Sequence, residues 1–136
     1  MIRSILVGVS IALLAPAAVV AQDQDKTVTA PSQLAEIRRI LWADNVDTSN
    51  LTTREVADTI ARIPRGSAPD DFWAAYQAHV FAWERLADLV DDPEAEDDEL
   101  AAAEEAVSTT FDEVERIARI YGARMPIPPA EQSSTV

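Results

Sequence analysis

Apolar residues recur at alternating spacings of four and three between Ser67 and Asp92, the period of one face of an α-helix. Acidic and amide side chains fall on the opposite side. Ser67 followed by Asp70 predicts a capping box at the start, and Pro93 predicts the end. The pattern therefore predicts an amphipathic helix over about residues 68–91. Its core-facing stripe consists of Phe72, Tyr76, His79, Trp83, Leu86 and Val90.

A second long pattern of the same period covers about residues 95–121. Gly122 is placed to end this helix in the left-handed conformation. Two long helices joined by a tight turn must pack antiparallel, so residues whose numbers add to about 190 lie at the same level along the hairpin. On this register His79 lies level with Thr110 and Phe111. We expect a buried hydrogen bond between His79 and Thr110, because an unpaired buried polar group costs about 1–3 kcal/mol.

Two shorter helices are predicted before the hairpin, over about residues 32–43 and 53–63. Trp42 falls off the apolar face of the first. No segment alternates apolar and polar residues with period two, so the chain is predicted to be all-α. The short helices should pack on the hairpin as a four-helix, bundle-like single domain over residues 32–128.

The string LTTRE, from Leu51 to Glu55, gives the sharpest local signal. Thr52 as N-cap and Glu55 three positions later are the residue types of a capping box, which begins a helix. The same string resembles one copy of the LTxxQ motif of periplasmic stress chaperones, with Glu55 in place of glutamine. Capping alone accounts for these residues, so no family is assigned. A minor periplasmic chaperone-like role is one hypothesis for the function, ranked below the two given at the end of this subsection.

The first 21 residues have a basic start at Arg3, an apolar run and small residues up to Ala21. This is the layout of a secretory signal peptide. The run contains Pro16 and is marginal for crossing a bilayer core of about 30 Å. We expect cleavage after Ala21 and a periplasmic or secreted protein without a stable membrane span. Residues 22–31 are predicted to be a flexible lead-in and residues 129–136 a disordered tail.

Charge and composition narrow the classes of function. The chain has 24 Asp and Glu against 11 Lys and Arg, a formal charge of −13 at pH 7. Nucleic acid and anionic membrane surfaces would be repelled by this charge. The absence of cysteine excludes disulfides and thiolate chemistry. We therefore expect no nucleic acid as a partner. The expected partner is another protein or a second copy of the chain in a homodimer.

The acid run from Asp91 to Glu99 contains seven carboxylates and is the obvious candidate for a metal site. It lacks the glycine and the ligand spacing of a calcium loop. It also lies where the positive end of the second long helix favours acidic residues. We interpret the run as a solvated turn and helix start, and weak, nonselective calcium binding is the alternative.

His79 is the only imidazole, so a zinc site or a nucleophile–base pair would lack a second His or Cys. A haem held by His79 and Met125 would require the two residues to meet, although they are offset by about 27 Å along the hairpin. We therefore predict a structural role for His79. No catalytic, cofactor-binding or metal-binding residue is assigned.

Phe81 projects away from the main stripe, and we expect the two short helices to cover it. The alternative is a partner surface, together with Trp42. The sequence predicts a small acidic exported protein that acts as a non-catalytic interaction or self-association module in the bacterial cell envelope. The second hypothesis is an envelope protein that binds a ligand or metal in the bundle interior or at the acid run.

Overall fold

The computed structural model describes residues 30–126, which contain four α-helices, one short 3-10 helix and no strand. The all-α prediction is confirmed. The helices are α1 (Ala30–Asp44), α2 (Thr53–Ala61), α3 (Asp70–Asp91) and α4 (Asp97–Ile120), with the 3-10 turn Thr48–Asn50 between α1 and α2. The predicted signal peptide and tail lie outside the described residues, as does most of the lead-in.

Helices α3 and α4 pack along each other as an antiparallel hairpin, and the predicted register is confirmed. At one end Tyr121 donates from its hydroxyl to Asp71 Oδ1 over 2.9 Å, and near the middle His79 contacts Thr110. Gly122 ends α4 with a φ of +83°, in the left-handed region expected for a C-terminal glycine. Helices α1 and α2 pack on this hairpin.

The apolar stripes of α3 and α4 are no longer packed closely against each other near the turn that joins the two helices. Val90, placed in the seam by its spacing, is 53% exposed. It lies in the last turn of α3, and the opposing Leu100 in the first turn of α4 is itself only partly buried. The seam prediction is therefore wrong for Val90, because too little of α4 faces it there.

Helices α1 and α2 complete the core. Buried side chains of α1 join those of α2, α3 and α4 in one hydrophobic cluster, with Ile37, Ile40 and Leu41 supplied by α1. Helix α2 lies against α3, and Arg54 at its start bonds to Asp88 Oδ1 at 2.5 Å and Asp91 Oδ2 at 3.1 Å. These exposed ion pairs orient α2 more than they stabilise it.

The two predicted helix starts have opposite outcomes. Thr52 and Glu55 form the expected reciprocal capping box, with N···O distances of 2.8 and 3.2 Å. The capping box predicted from Ser67 and Asp70 is absent, because α3 begins at Asp70 with Pro69 as its N-cap. The Asp70 carboxylate instead pairs with Arg65 in the preceding turn. That pairing takes the side chain away from the cap.

Phe81 is 68% exposed and Trp42 is 59% exposed. The expectation that the short helices cover Phe81 is wrong. Val80 and Ala87 are buried on the flank of the α3 stripe, whereas Phe81 lies farther round the helix and stays uncovered. Between residues 30 and 126, no helix has both the length and the apolar content needed to cross a membrane.

Candidate functional site

His79 lies near the middle of α3 and is only 3% exposed. Its Nδ1 is 3.0 Å from Thr110 Oγ1, and its Nε2 is 3.1 Å from Trp83 Nε1. The Phe111 ring lies against the imidazole, with 5.1 Å between ring centroids. The predicted burial of His79 and its pairing with Thr110 are confirmed. A single buried polar pair of this kind can fix the register of two helices.

The hydrogen-bond partners of His79 assign its protonation state. The indole N–H of Trp83 can only donate, so Nε2 must accept. The Thr110 hydroxyl donates to the Ala106 carbonyl over 2.8 Å, so Oγ1 accepts from His79 Nδ1–H. The ring is therefore neutral, with its proton on Nδ1. Neither nitrogen is free to bind a metal or to accept a proton from a substrate.

Burial lowers the pKa of His79 to about 4, because the charged ring would lose its hydration. A hydrogen bond to the backbone of Val107 opposes this shift in part. The direction agrees with the hydrogen-bond network, because a second ring proton would face the N–H of Trp83. His79 therefore stays neutral at physiological pH.

Replacing Thr110 with Val tests the pair. We expect Thr110→Val to lower the free energy of unfolding by about 1–3 kcal/mol, because the buried N–H of His79 loses its acceptor. Adding His79→Leu should recover much of this loss, because the unpaired donor is removed and Trp83, being only partly buried, can bond to water. Urea denaturation measures both effects. The exposed Thr109→Val is the matched control, and a loss no larger than in this control would contradict the prediction.

Asp44, the last residue of α1, is a second polar group directed into the bundle. Its Oδ1 accepts from the Tyr76 hydroxyl over 3.0 Å, and the same hydroxyl lies 3.5 Å from the Ile60 carbonyl oxygen. Burial raises the pKa of Asp44 to about 6, and the bond from Tyr76 opposes the rise. Burial, followed by the nearby charge of Asp44, raises the pKa of Tyr76 as well. No ion pair within residues 30–126 involves Asp44.

Asp44 and His79 both line a pocket of about 230 Å³, which we call the central pocket. It is open to solvent and lies between the turn that follows α1 and the helices α2, α3 and α4. Its polar lining residues are Asp44, Thr48, His79 and Ser108. Its apolar lining residues are Val46, Val56, Ile60, Trp83, Val107 and Phe111. An apolar concavity with a few converging polar groups is the usual form of a small-molecule site.

The segment after α4 forms part of a neighbouring cavity. The chain turns back after Gly122, and Met125 lines a cavity of about 310 Å³ together with Asp44, Val46 and Phe111. The segment thus returns along the bundle, so the axial separation of His79 and Met125 estimated from the hairpin alone is too large. The haem hypothesis still gains no support, because both nitrogens of His79 are engaged.

The acid run lies at the turn between α3 and α4, far along the hairpin from His79. Asp91 pairs with Arg54, Asp92 Oδ1 accepts the backbone N–H of Glu94 over 2.9 Å, and Glu99 Oε2 lies 3.4 Å from the backbone nitrogen of Glu96. These carboxylates bond to α2, to the turn and to the start of α4. Within the described part of the chain, no group of three or more His, Asp or Glu is placed to hold a metal ion.

We expect calcium titration at physiological ionic strength to give no binding or a millimolar dissociation constant, because the exposed run has no calcium-loop spacing. Calorimetry measures this directly. The control is Asp97→Asn with Asp98→Asn, which should change little. Micromolar affinity that is lost in this double variant would establish the metal interpretation instead.

Sequence reasoning found His79 and missed the central pocket. The first helix was predicted to end at about residue 43, although Asp44 continues the helical spacing of Ile37, Ile40 and Leu41 and therefore lies on the buried face of α1. That spacing was the available signal. Comparison of the chain with family models, curated proteins and solved structures finds no match. The function must therefore be inferred from the pocket and the surface.

Proposed function

We propose that the chain is a non-catalytic binding protein of the bacterial cell envelope that holds a small, largely apolar ligand in the central pocket. The observation that supports this most is the pocket itself: about 230 Å³, six apolar side chains, and Asp44 and His79 as polar groups within it. The leader-like residues 1–21 support an envelope location.

The environment of His79 favours binding over catalysis. An imidazole acts as a general base only when one nitrogen is free to accept a proton. Here Nε2 accepts from Trp83 and Nδ1–H donates to Thr110. Asp44 is the only other ionisable side chain of the central pocket, and its carboxylate bonds to Tyr76 and not to the hydroxyl of Thr48 or Ser108, so the lining residues form no nucleophile–base pair.

Native mass spectrometry of the protein purified from its own cell envelope tests the proposal. We expect a mass increment from a bound small molecule. Val107→Trp should abolish the increment, because a larger side chain at this partly buried position fills the pocket. Ala101→Trp places the same indole on an exposed face of α4 and should retain it. An unliganded mass for the unaltered protein, or an increment unchanged in Val107→Trp, would refute the proposal.

A second candidate function is protein binding through exposed aromatic side chains. Phe81 and Trp42 are 68% and 59% exposed, and aromatic residues are typical anchors of protein interfaces. The charge of −13 favours a partner with a basic surface over a second copy of the chain. Sedimentation equilibrium at low and high salt separates these cases. A dimer that is lost in Phe81→Ala would favour self-association.

A further inference from the structure

The charge inside the central pocket indicates what kind of ligand fits it. Asp44 is the only acidic lining residue, and no Arg or Lys between residues 30 and 126 forms an ion pair with it. One carboxylate oxygen accepts from Tyr76, and a carboxylate has capacity for further donors. His79 is neutral and contributes no positive charge. The pocket thus contains a negative charge without a cationic partner.

The walls beside Asp44 suit an organic cation. Trp83 and Phe111 line the same pocket, and their rings offer apolar surface to the body of an organic cation whose charged nitrogen lies at Asp44. The charge of −13 favours the approach of cations and opposes that of anions. A cavity of roughly 150 Å³ accommodates benzene. The central pocket, at about 230 Å³, is therefore large enough for one ring with a short side chain.

We propose that the central pocket binds a small organic ammonium ion, whose ring or branched aliphatic body contacts Trp83 and Phe111 and whose protonated nitrogen pairs with Asp44. This inference rests on the proposed function, because it names the ligand class of the same pocket. An anionic ligand would face the Asp44 carboxylate with like charge. A cation instead supplies the partner that a partly buried carboxylate lacks.

The pH must be chosen so that Asp44 is ionised, because a protonated Asp44 would donate to a neutral alcohol. The pKa of Asp44 is about 6, so the carboxylate predominates at pH 7.5. The other titratable side chains of this region are Tyr76, His79 and Glu115. Tyr76 and His79 are neutral at pH 7.5, and Glu115 is paired with Arg119 at 2.7 Å. Asp44 is therefore the unpaired charge that the ligand meets.

The test compares three probes of similar shape at pH 7.5: 2-phenylethylammonium, 2-phenylethanol and 3-phenylpropanoate. Binding is followed by the backbone amide and indole N–H signals of the ¹⁵N-labelled full chain. We expect the cation to shift the indole N–H of Trp83 and the amides of Val107 and Phe111. Its affinity should be at least about tenfold higher than that of the alcohol, and the anion should bind most weakly.

Two matched variants assign the preference to Asp44. Asp44→Asn should reduce the affinity for the cation to that for the alcohol, because the charge is lost and the shape is kept. Asp47→Asn removes the same charge three residues later, at an exposed position outside the pocket, and should retain the preference. Retention of the preference in Asp44→Asn would overturn the assignment.

The outcomes separate this inference from the proposed function. Equal binding of the cation and the alcohol at the pocket residues would overturn the cation preference and leave a ligand-binding pocket. Absence of shifts at Trp83, Val107 and Phe111 with all three probes would overturn the ligand class. The proposed function is decided separately, by the mass increment of the native protein and its loss in Val107→Trp.

Discussion

Tyr76→Ala is expected to lower the free energy of unfolding by about 3–5 kcal/mol, a large fraction of the total for a small domain. Tyr76 is completely buried, and its ring stacks against Phe72 and Trp73 at centroid distances of 6.4 and 5.6 Å. Its hydroxyl connects α3 to α1 through Asp44 and lies close to the Ile60 carbonyl of α2. Removing the side chain opens a cavity where these three helices meet.

The companion variant Tyr76→Phe keeps the ring and removes the hydroxyl. We expect it to cost about 1–3 kcal/mol at pH 7.5, because the Asp44 carboxylate loses its donor. Urea denaturation at fixed pH measures both variants. Ala74→Gly, at an exposed position of the same helix, should cost only about 1 kcal/mol and is the control for a backbone effect. A Tyr76→Ala loss no larger than this would contradict the central position assigned to Tyr76.

Asp44→Asn should stabilise the protein at neutral pH. Burial raises the folded-state pKa of Asp44 to about 6, from its ordinary value of 3.8. Between these values the folded protein retains a proton that the unfolded chain has released, so the contribution of Asp44 to stability is lost as the pH rises through this window. Raising the pKa from 3.8 to about 6 corresponds to roughly 3 kcal/mol of folding free energy. We therefore expect the stability gain of Asp44→Asn to grow from near zero at pH 4 to as much as about 3 kcal/mol above pH 6.

His79 changes the stability in the opposite direction over nearly the same pH range. Its folded-state pKa is about 4, against 6.5 for the unperturbed ring, so the unfolded chain takes up a proton that the folded protein does not. Its contribution is lost as the pH falls from 6.5 to 4. In Asp44→Asn the loss of stability at low pH that His79 causes is no longer opposed by Asp44. Unfolding in urea at several pH values, with each variant compared to the unaltered protein, measures the difference.

Asp47→Asn provides a control of opposite sign. Bonds from the side chain and backbone of Ser49 lower the pKa of Asp47, so its contribution is present at higher pH and is lost on acidification. Asp47→Asn should therefore not stabilise the protein at neutral pH. A stability difference for Asp44→Asn that is independent of pH would refute the assignment of the raised pKa to Asp44.

Helix periodicity was sufficient to predict the fold and one polar contact. The stripes of α3 and α4 determine which residues lie level, and His79 and Thr110 were the most polar members of those stripes, so their pairing could be predicted. Spacing does not show where a seam opens, which is why Val90 was misplaced. It also does not show which side of α3 a short helix covers, and Phe81 was misplaced for that reason.

The pocket could not be predicted from periodicity, because it lies between elements that are distant in sequence. Its lining comes from the turn after α1, from α2 and from the middle of both long helices. Helix patterns specify faces, and a void between faces depends on how closely the facing side chains fit. One polar residue of the pocket could have been predicted, because Asp44 continues the spacing of the apolar residues of α1 and therefore lies on its buried face.

Helix α1 packs less extensively on the rest of the bundle than α3 and α4 pack on each other. α3 and α4 are neighbours in one hairpin, whereas α1 is anchored mainly by Ile37, Ile40 and Leu41 and by the bond from Tyr76 to Asp44. Such a peripheral element is expected to detach by partial unfolding at lower free energy than the hairpin. Asp44 and Val46 would leave with it, so the pocket would lose one wall at once. A ligand bound at Asp44 should therefore hold α1 on the hairpin and raise the free energy of this partial unfolding.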